Sequence, residues 1–222
     1  MPVTIYQRKV LLAGATGLIG GLILRALLAD QTVTQVHVLS RRKLHIEHPK
    51  LQVHIVSFNC LPKLPEVDEA YLALGTTMKV AGSQEAFRSV DFEANLAVAK
   101  AAIDVGVKRL GLVSAAAANS RSYVFYNRVK GELEDVLKAL PLSALVIAQP
   151  SLLLDKRNGL QQPPRLGEMI SIPIAKLLAP LLPGAYQPVH ARAVAQSLIT
   201  VVPTAKGLVV LASNDLARIG RE

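Results

Sequence analysis

The sequence has very little cysteine and few aromatic side chains. A single cysteine, Cys60, excludes an internal disulfide and any cluster of thiolate metal ligands, so we expect a reducing, cytoplasmic setting. Tryptophan is absent and aromatic residues make up only 4% of the chain, so its 51% hydrophobic content is mostly aliphatic. Long aliphatic runs are typical of parallel strands that helices cover on both faces. With 222 residues and this apolar content, the chain is a folded protein rather than a disordered or collagen-like one.

Acidic residues are also few. The chain has 25 lysines and arginines against 16 aspartates and glutamates, which gives a net charge of +9 at pH 7. A positive field of this kind favours anionic ligands such as phosphates. The charge is not concentrated in a basic arm, so we expect no nucleic-acid partner. The uncharged stretch 10–24 is interrupted by glycines, and the stretch 170–182 is too short to span a bilayer, so we expect neither a signal peptide nor membrane insertion.

Two common kinds of catalytic site are missing from the sequence. A serine hydrolase of the α/β type would need a G-x-S-x-G elbow, and none is present. Only His45 and His48 have a spacing suited to a metal, and no third ligand lies near them, so we expect no metal site. His190 precedes a predicted helix, and its position is compatible with starting that helix or with bordering a substrate cleft.

Strands and helices alternate along the chain, which predicts an α/β, doubly wound parallel sheet of the Rossmann type. The predicted strands are 9–13, 35–39, 52–58, 70–74, 109–114, 144–148 and 207–211, and the predicted helices are 18–29, 126–140, 193–201 and a long one within 84–105. Asp91, Glu93 and Asp104 are expected on a solvated face of the long helix. We predict a single domain over residues 1–222. Residues 152–188 are expected to form a small C-terminal cap on the substrate side; the alternative is an irregular cap without a ligand.

A glycine-rich loop, GATGLIG, connects the first predicted strand to the first helix. Gly14 permits a tight turn, Gly17 lets a pyrophosphate approach the backbone, and Gly20 lets helix and strand pack closely. The start of the helix offers free amides and the positive end of its dipole to phosphates. We therefore predict that the loop contacts a dinucleotide through Gly14, Thr16, Gly17, Leu18, Ile19 and Gly20.

The residues after the second predicted strand indicate which dinucleotide is bound. A site for NAD usually has an acidic residue there to hold the adenosine ribose. Here Arg41 and Arg42 are followed by Lys43, and no acid occurs before Glu47. These cations suit the 2′-phosphate of NADP. We predict NADP(H) as the cofactor, with Arg41 and Arg42 as its ligands; the alternative is a solvated charge run.

Tyr126 and Lys130 are four residues apart on a predicted helix and therefore project from one face. Tyrosine is a poor acid–base group because its pKa is near 10. A neighbouring ammonium lowers that pKa, and the same lysine is within reach of the nicotinamide ribose in such an arrangement. The pair predicts a proton-transfer function.

Taken together, the glycine loop, the helix centred on Asp91, the strand that ends at Val113-Ser114 and the pair Tyr126 and Lys130 resemble the short-chain dehydrogenase/reductase superfamily in its atypical and extended branch. The resemblance covers about residues 8–155. Within that branch, the stretch LVSAAAANSRSYVFYNRVKGELE resembles the Tat-interacting-protein-like oxidoreductases.

The resemblance implies a Rossmann fold, NADP(H) binding, Tyr126 as proton donor or acceptor and Lys130 as its activator. It also implies that residues after the fourth and sixth strands lie along the cofactor, namely Gly75, Thr76, Thr77 and Pro150.

The sequence departs from this family at one place. Members usually carry a serine or threonine just past the fifth strand, and the corresponding pair here is Ser114-Ala115. Ser114 either takes that catalytic role or faces the sheet, and Ser120 and Ser122 are weaker candidates. Two functions therefore stay open. One is an NADPH-dependent reductase of a small, apolar carbonyl compound; the other is an NADP(H)-binding sensor with a protein partner. An oligomer is compatible with both.

Overall fold

The computed structural model describes residues 7–155 and 183–221. These residues contain seven strands: β1 Arg8–Ala13, β2 Val33–Ser40, β3 Leu51–Ile55, β4 Glu69–Leu72, β5 Arg109–Val113, β6 Ala144–Gln149 and β7 Gly207–Ala212. The strands form one sheet in the order β3-β2-β1-β4-β5-β6-β7, and neighbouring strands are parallel throughout. The predicted doubly wound α/β fold is confirmed. The predicted substrate-side cap stays a prediction, because most of 152–188 lies outside the described residues.

Helices connect the strands across both faces of the sheet. They are α1 Leu18–Ala29, α2 Met78–Ala81, α3 Gln84–Arg88, α4 Asn95–Asp104, α5 Phe125–Lys138, α6 Ala191–Val201 and α7 Ser213–Ile219. The long helix predicted within 84–105 is interrupted, because a π-helical segment, Ser89–Ala94, separates α3 from α4. Within the described residues, each helix is too short or too polar to cross a membrane.

The aliphatic residues of the strands build two cores, one on each face of the sheet. On one face, Val10 and Val38 pack with Ile23 of α1 and Leu198 of α6. On the other face, residues of the opposite parity, such as Leu11 and Leu39, pack with residues of α4 and α5. Each fully buried aliphatic side chain stabilises the folded state by about 1.5–3 kcal/mol relative to leaving it exposed to water. Burial on both faces explains why the strands are continuous apolar runs.

A buried polar cluster lies at the edge of the sheet where the strands begin. We call Arg8, Asp30, Thr32, Glu69 and Tyr71 the amino-edge network. The guanidinium of Arg8 donates to Thr32 Oγ1 at 3.1 Å, to Asp30 Oδ2 at 2.5 Å and to Glu69 Oε1, which also accepts the Tyr71 hydroxyl at 3.1 Å. The network joins β1, β4 and the turn before β2 at the edge opposite the predicted cofactor loop.

Candidate nucleotide-binding and proton-transfer site

A cleft of about 600 Å³ opens at the carboxyl ends of β1, β2 and β4. The chain reverses its direction of winding between β1 and β4, which is the place where doubly wound sheets bind ligands. The cleft brings together seven of the residues predicted from sequence: Gly14, Thr16, Gly17, Arg41, Arg42, Gly75 and Thr76. The side chains or backbones of Thr77, Tyr126, Lys130 and Pro150 are not part of its lining.

The glycine loop has the geometry that its sequence predicts. Gly14 has a φ of +99°, and a Cβ there would lie 2.4 Å from the backbone of Ala73. A Cβ on Gly20 would lie 2.1 Å from the carbonyl oxygen of Gly14, so the first turn of α1 packs directly on the loop. Gly17 is the N-cap of α1 and has no side chain to cap the helix. The first amides of α1 therefore have no intrahelical acceptor and suit a phosphate.

Leu18 and Ile19, which were predicted to contact the cofactor, direct their side chains to the hydrophobic core. Ile19 is 8% exposed and belongs to the hydrophobic core, and Leu18 packs against the same core. Their side chains hold α1 on the sheet. A phosphate at the helix start would meet their backbone amides only.

Arg41 and Arg42 follow the carboxyl end of β2 and are both exposed at the wall of the cleft. Within residues 7–155 and 183–221, neither guanidinium has an acidic partner. The amide of Arg42 donates to Ser40 Oγ at 3.3 Å, which helps to fix the backbone of this turn. Two cations without carboxylate partners leave this wall of the cleft electropositive.

The prediction that Asp91 lies on a solvated face is wrong. Its side chain is fully buried, whereas Glu93 and Asp104 are exposed as predicted. Asp91 Oδ2 accepts the Thr76 amide at 2.7 Å, and Oδ1 lies 2.7 Å from Lys130 Nζ. The carboxylate therefore joins the loop after β4 to the helix that carries Tyr126.

Lys130 is only 5% exposed and lies beneath the loop after β4. A Cβ on Gly75 would lie 3.4 Å from Asp91 Oδ1 and 3.9 Å from Lys130 Nζ. Burial by itself lowers the pKa of Lys130. The negative charges of Asp91 and Tyr126 raise it by more than burial lowers it, so the pKa lies above the ordinary value. The side chain is an ammonium next to Tyr126, whose half-buried ring also contacts Phe87 at 5.5 Å between centroids.

Each serine predicted to replace the missing hydroxyl at position 115 has a partner of its own. The Ser114 hydroxyl donates to Glu134 Oε1 at 2.5 Å, and Gln149 donates to both oxygens of the same carboxylate at 3.0 Å. Ser114 thus faces α5 inside the protein, and Ala115 follows it. Ser120 Oγ donates to Asp135 at 2.6 Å, and Ser122 Oγ accepts the Val124 amide at 3.1 Å.

Two further predicted cofactor residues have structural contacts. Thr77 is the N-cap of α2, and its side chain accepts the Val80 amide at 3.2 Å. The carbonyl of Pro150 accepts the Ala116 amide at 2.9 Å, which ties the loop after β5 to the end of β6. Pro150 is therefore placed between the loop after β5 and the start of the predicted cap.

His190 lies at the start of α6, which agrees with the sequence alternative that it begins a helix. It is the N-cap residue of that helix, and its Nδ1 lies 3.1 Å from Asp155 Oδ1. The other carboxylate oxygen of Asp155 accepts the Ala191 amide and caps the helix. Among the residues that the structure describes, no three histidine, cysteine, aspartate or glutamate side chains form a metal-binding group.

The sheet order and the glycine-lined cleft at its carboxyl edge define a protein with a Rossmann-like α/β fold. Solved structures with this fold include the UDP-N-acetylglucosamine 4-epimerase of Methanobrevibacter ruminantium, with a TM-score of 0.68 and 15% identity over 93% of this chain and 76% of that one. MoeE5 in complex with UDP-glucuronic acid and NAD has a TM-score of 0.69 and 16% identity over 92% and 76%. The enzyme WbmF of Bordetella bronchiseptica, in complex with NAD+, has a TM-score of 0.62 and 17% identity over 97% and 78%.

No family model matches the chain, but curated proteins of similar sequence show its family. The mitochondrial protein FMP52 of Meyerozyma guilliermondii is 31% identical over 225 aligned positions, which cover 96% of both chains. The mitochondrial protein fmp52 of Emericella nidulans is 34% identical over 160 positions, which cover 68% of this chain and 69% of that one. The chain belongs to the FMP52 family.

The expectation of a cytoplasmic protein is wrong in the light of these relatives, which are named as mitochondrial proteins. The expectation came from the single cysteine. One cysteine excludes an internal disulfide, but it does not distinguish between compartments.

Proposed function

We propose that the chain is an NADP(H)-dependent oxidoreductase that reduces a small, apolar carbonyl compound, with Tyr126 transferring the proton. The observation that carries this proposal is the buried ammonium of Lys130, which lies next to Tyr126 and beneath the loop after β4. An ammonium in this position stabilises the negative charge that proton transfer leaves on the tyrosine oxygen.

The residues of the cleft fit a dinucleotide phosphate. Gly17 leaves the start of α1 uncapped by any side chain, and Gly14 turns the backbone away so that the loop can hold a pyrophosphate. A reduced nucleotide bound in the cleft would supply a hydride to the carbonyl carbon. Tyr126 then donates its proton to the carbonyl oxygen, and Lys130 compensates the charge that remains on the tyrosine.

The proposed preference for NADP(H) over NAD(H) rests on the two arginines at the wall of the cleft. Each charge-assisted hydrogen bond to a 2′-phosphate is worth about 1.5–3 kcal/mol, so two of them could favour NADPH roughly a hundredfold or more. Titration of both nucleotides against the wild type and the Arg41→Ala/Arg42→Ala double variant tests this. Lys43→Ala is the matched control, because Lys43 is exposed in the same run but does not line the cleft. Equal affinity of the wild type for NADH and NADPH would contradict the preference.

The support for an apolar substrate comes from two exposed side chains that shortly precede the proposed proton donor in the chain. Tyr123 is fully exposed and Val124 is 57% exposed, and both precede α5 at the carboxyl edge of the sheet. The sequence also points to an apolar ligand through 152–154, Leu160 and 170–182. Leu153 packs against the hydrophobic core, whereas Leu160 and 170–182 lie outside the described residues.

A second candidate function is an NADP(H)-binding sensor that works through a protein partner. It is favoured by Ala115 and by the Ser114 hydroxyl, which is held by Glu134 and is not free to polarise a substrate carbonyl. In the reductase, the carbonyl oxygen would then depend on Tyr126 for its hydrogen bond.

Three substitutions distinguish the two functions. Tyr126→Phe should leave NADPH affinity nearly intact and abolish turnover, because only the proton donor is lost. Ala115→Ser should raise turnover by restoring a donor, on a scale of up to about a hundredfold, whereas Ser114→Ala should change it little. NADPH oxidation with quinones, aldehydes and ketones gives the assay. Tight NADPH binding without turnover in either the wild type or Ala115→Ser would favour the sensor.

A further inference from the structure

The segment around Asp91 has an unusual backbone. Ser89–Ala94 is π-helical, and such segments are rare and frequent at functional sites. The side-chain amide of Asn95 donates to the carbonyl oxygens of Leu74 at 3.1 Å, Val90 at 3.3 Å and Asp91 at 3.1 Å. One amide thus fastens the widened turn to the end of the loop that lines the cleft.

The carboxylate of Asp91 connects two parts of the site. One oxygen accepts the backbone amide of Thr76, and the other lies 2.7 Å from Lys130 Nζ. Asp91 and Lys130 are both buried, so water screens their interaction far less than it would at the surface. The position of the lysine is therefore set by a residue that also holds the loop after β4.

We propose that Asp91 is a positioning residue, which holds the Lys130 ammonium between the loop after β4 and Tyr126 and partly neutralises its charge. The proposal deepens the proposed function and rests on the role of Tyr126 and Lys130 in proton transfer. Asp91 acts through the lysine, because its own oxygens are occupied by Thr76 and Lys130.

The charges around the lysine define the expected effect. The ionisable groups that act on it are Asp91 from the π-helical segment and Tyr126 and Glu134 from α5, and they keep the pKa of Lys130 above its ordinary value despite burial. If residue 91 is neutral, it no longer offsets the positive charge of Lys130, so Tyr126 faces a stronger net positive charge. The tyrosine should then ionise at a lower pH.

The absorbance of tyrosinate in the apo protein measures this directly. The chain has five tyrosines and no tryptophan, so a difference titration against Tyr126→Phe isolates Tyr126. Asp91→Asn should lower the midpoint by about one pH unit, a tenfold change in the ionisation constant, as a charge at this range can produce. Asp91→Glu should keep the wild-type midpoint, and Glu93→Gln, an exposed charge on the same segment, should not shift it. In a Lys130→Met background, the effect of Asp91→Asn should be clearly smaller, because only the direct interaction of Asp91 with the tyrosine remains.

The result that overturns the proposal is an unchanged Tyr126 midpoint in a folded Asp91→Asn protein, or the same shift with and without Lys130. If Asp91→Asn does not fold, nitrogen-15 NMR of the lysine side chains in the wild type takes its place. Lys130 should then keep its proton to higher pH than the exposed lysines, and its earlier deprotonation would refute the proposal. A shifted midpoint in a chain that turns over no carbonyl would instead refute the reductase and leave this inference standing.

Discussion

Two buried groups of charges lie at opposite edges of the same sheet, and they are built differently. In the amino-edge network, the three nitrogens of the Arg8 guanidinium donate hydrogen bonds to Thr32, Glu69 and Asp30. The Tyr71 hydroxyl donates to the same Glu69 carboxylate. At the carboxyl edge, Asp91 and Lys130 pair with each other, but both also face the loop that lines the cleft.

The difference separates a structural role from a functional one. A network whose donors and acceptors are all satisfied within the protein fixes the strands and has nothing to offer a ligand. The carboxyl-edge pair holds a charge next to Tyr126 and a backbone amide next to the cleft, so its geometry bears on chemistry. Buried side-chain atoms without a hydrogen-bond partner in the described part of the chain occur at both edges, for example Asn95 Oδ1 here and Arg109 Nε at the start of β5, so they do not separate the two.

The largest effect is expected at the amino edge. Glu69→Ala leaves the buried guanidinium of Arg8 and the hydroxyl of Tyr71 without their shared acceptor, which should lower the free energy of unfolding by about 3–5 kcal/mol. Denaturant unfolding measures it, and Glu66→Ala, an exposed glutamate before the same strand, is the control. NADPH affinity of the folded fraction should not change. A specific loss of nucleotide binding in Glu69→Ala would contradict a purely structural role for the amino-edge network.

The sequence predicts the fold well because its signals are local. The spacing of Gly14, Gly17 and Gly20 and the apolar runs of the strands each identify an element without reference to distant residues. The exact ends differ; β3, for example, ends at Ile55 rather than at 58, where the chain leaves the sheet. Arg8 and Glu69 could not be paired in advance, because 61 residues separate them and only the assembled sheet brings them together.

The burial of Asp91 did have a signal in the sequence. Asp91, Asn95, Val98 and Ala102 are spaced by four, three and four residues, which places them on one helical face, and all four are buried. The carboxylate was expected in solvent because charged residues usually are. What no local pattern shows is its partner, since the ion pair depends on how α5 packs against the π-helical segment. The same limit applies to Ser114, whose contact with Glu134 is decided by the packing of α5 on the sheet.

A medium effect at the carboxyl edge tests how tightly the glycine loop is packed. A Cβ on Gly20 would lie 2.1 Å from the Gly14 oxygen, so Gly20→Ala must move the loop. We expect a loss of about 1–3 kcal/mol in the free energy of unfolding together with weaker NADPH binding. Gly21→Ala is the matched control: its Cβ would lie 3.3 Å from the carbonyl oxygen of Ala15, which needs a shift of only a few tenths of an ångström, and alanine favours a helix by up to about 1 kcal/mol. Equal behaviour of the two variants would show that the loop is not held by this contact.

The smallest effect is expected from a histidine pair that lies between the two edges, on β2 and β3. His37 is 3% exposed, and its Nδ1 lies 3.0 Å from His54 Nε2, while its Nε2 lies 3.3 Å from the side-chain oxygen of Gln35. Burial lowers the pKa of His37 first, and the positive charges of His54 and Lys9 lower it further.

The sign of the pH dependence follows from that direction. In the unfolded chain the imidazole takes up a proton at about pH 6.5, whereas in the folded protein it does so only at lower pH. The protein should therefore keep its full stability above the unfolded pKa and lose part of it as the pH falls towards the folded pKa. Urea unfolding at about pH 7 and about pH 5 measures the loss, which should be smaller in His37→Gln than in the wild type. His45→Gln, in an exposed position, should lose as much as the wild type. If His37→Gln loses as much stability as His45→Gln, the contacts of His37 in the folded protein do not lower its pKa, and the prediction fails.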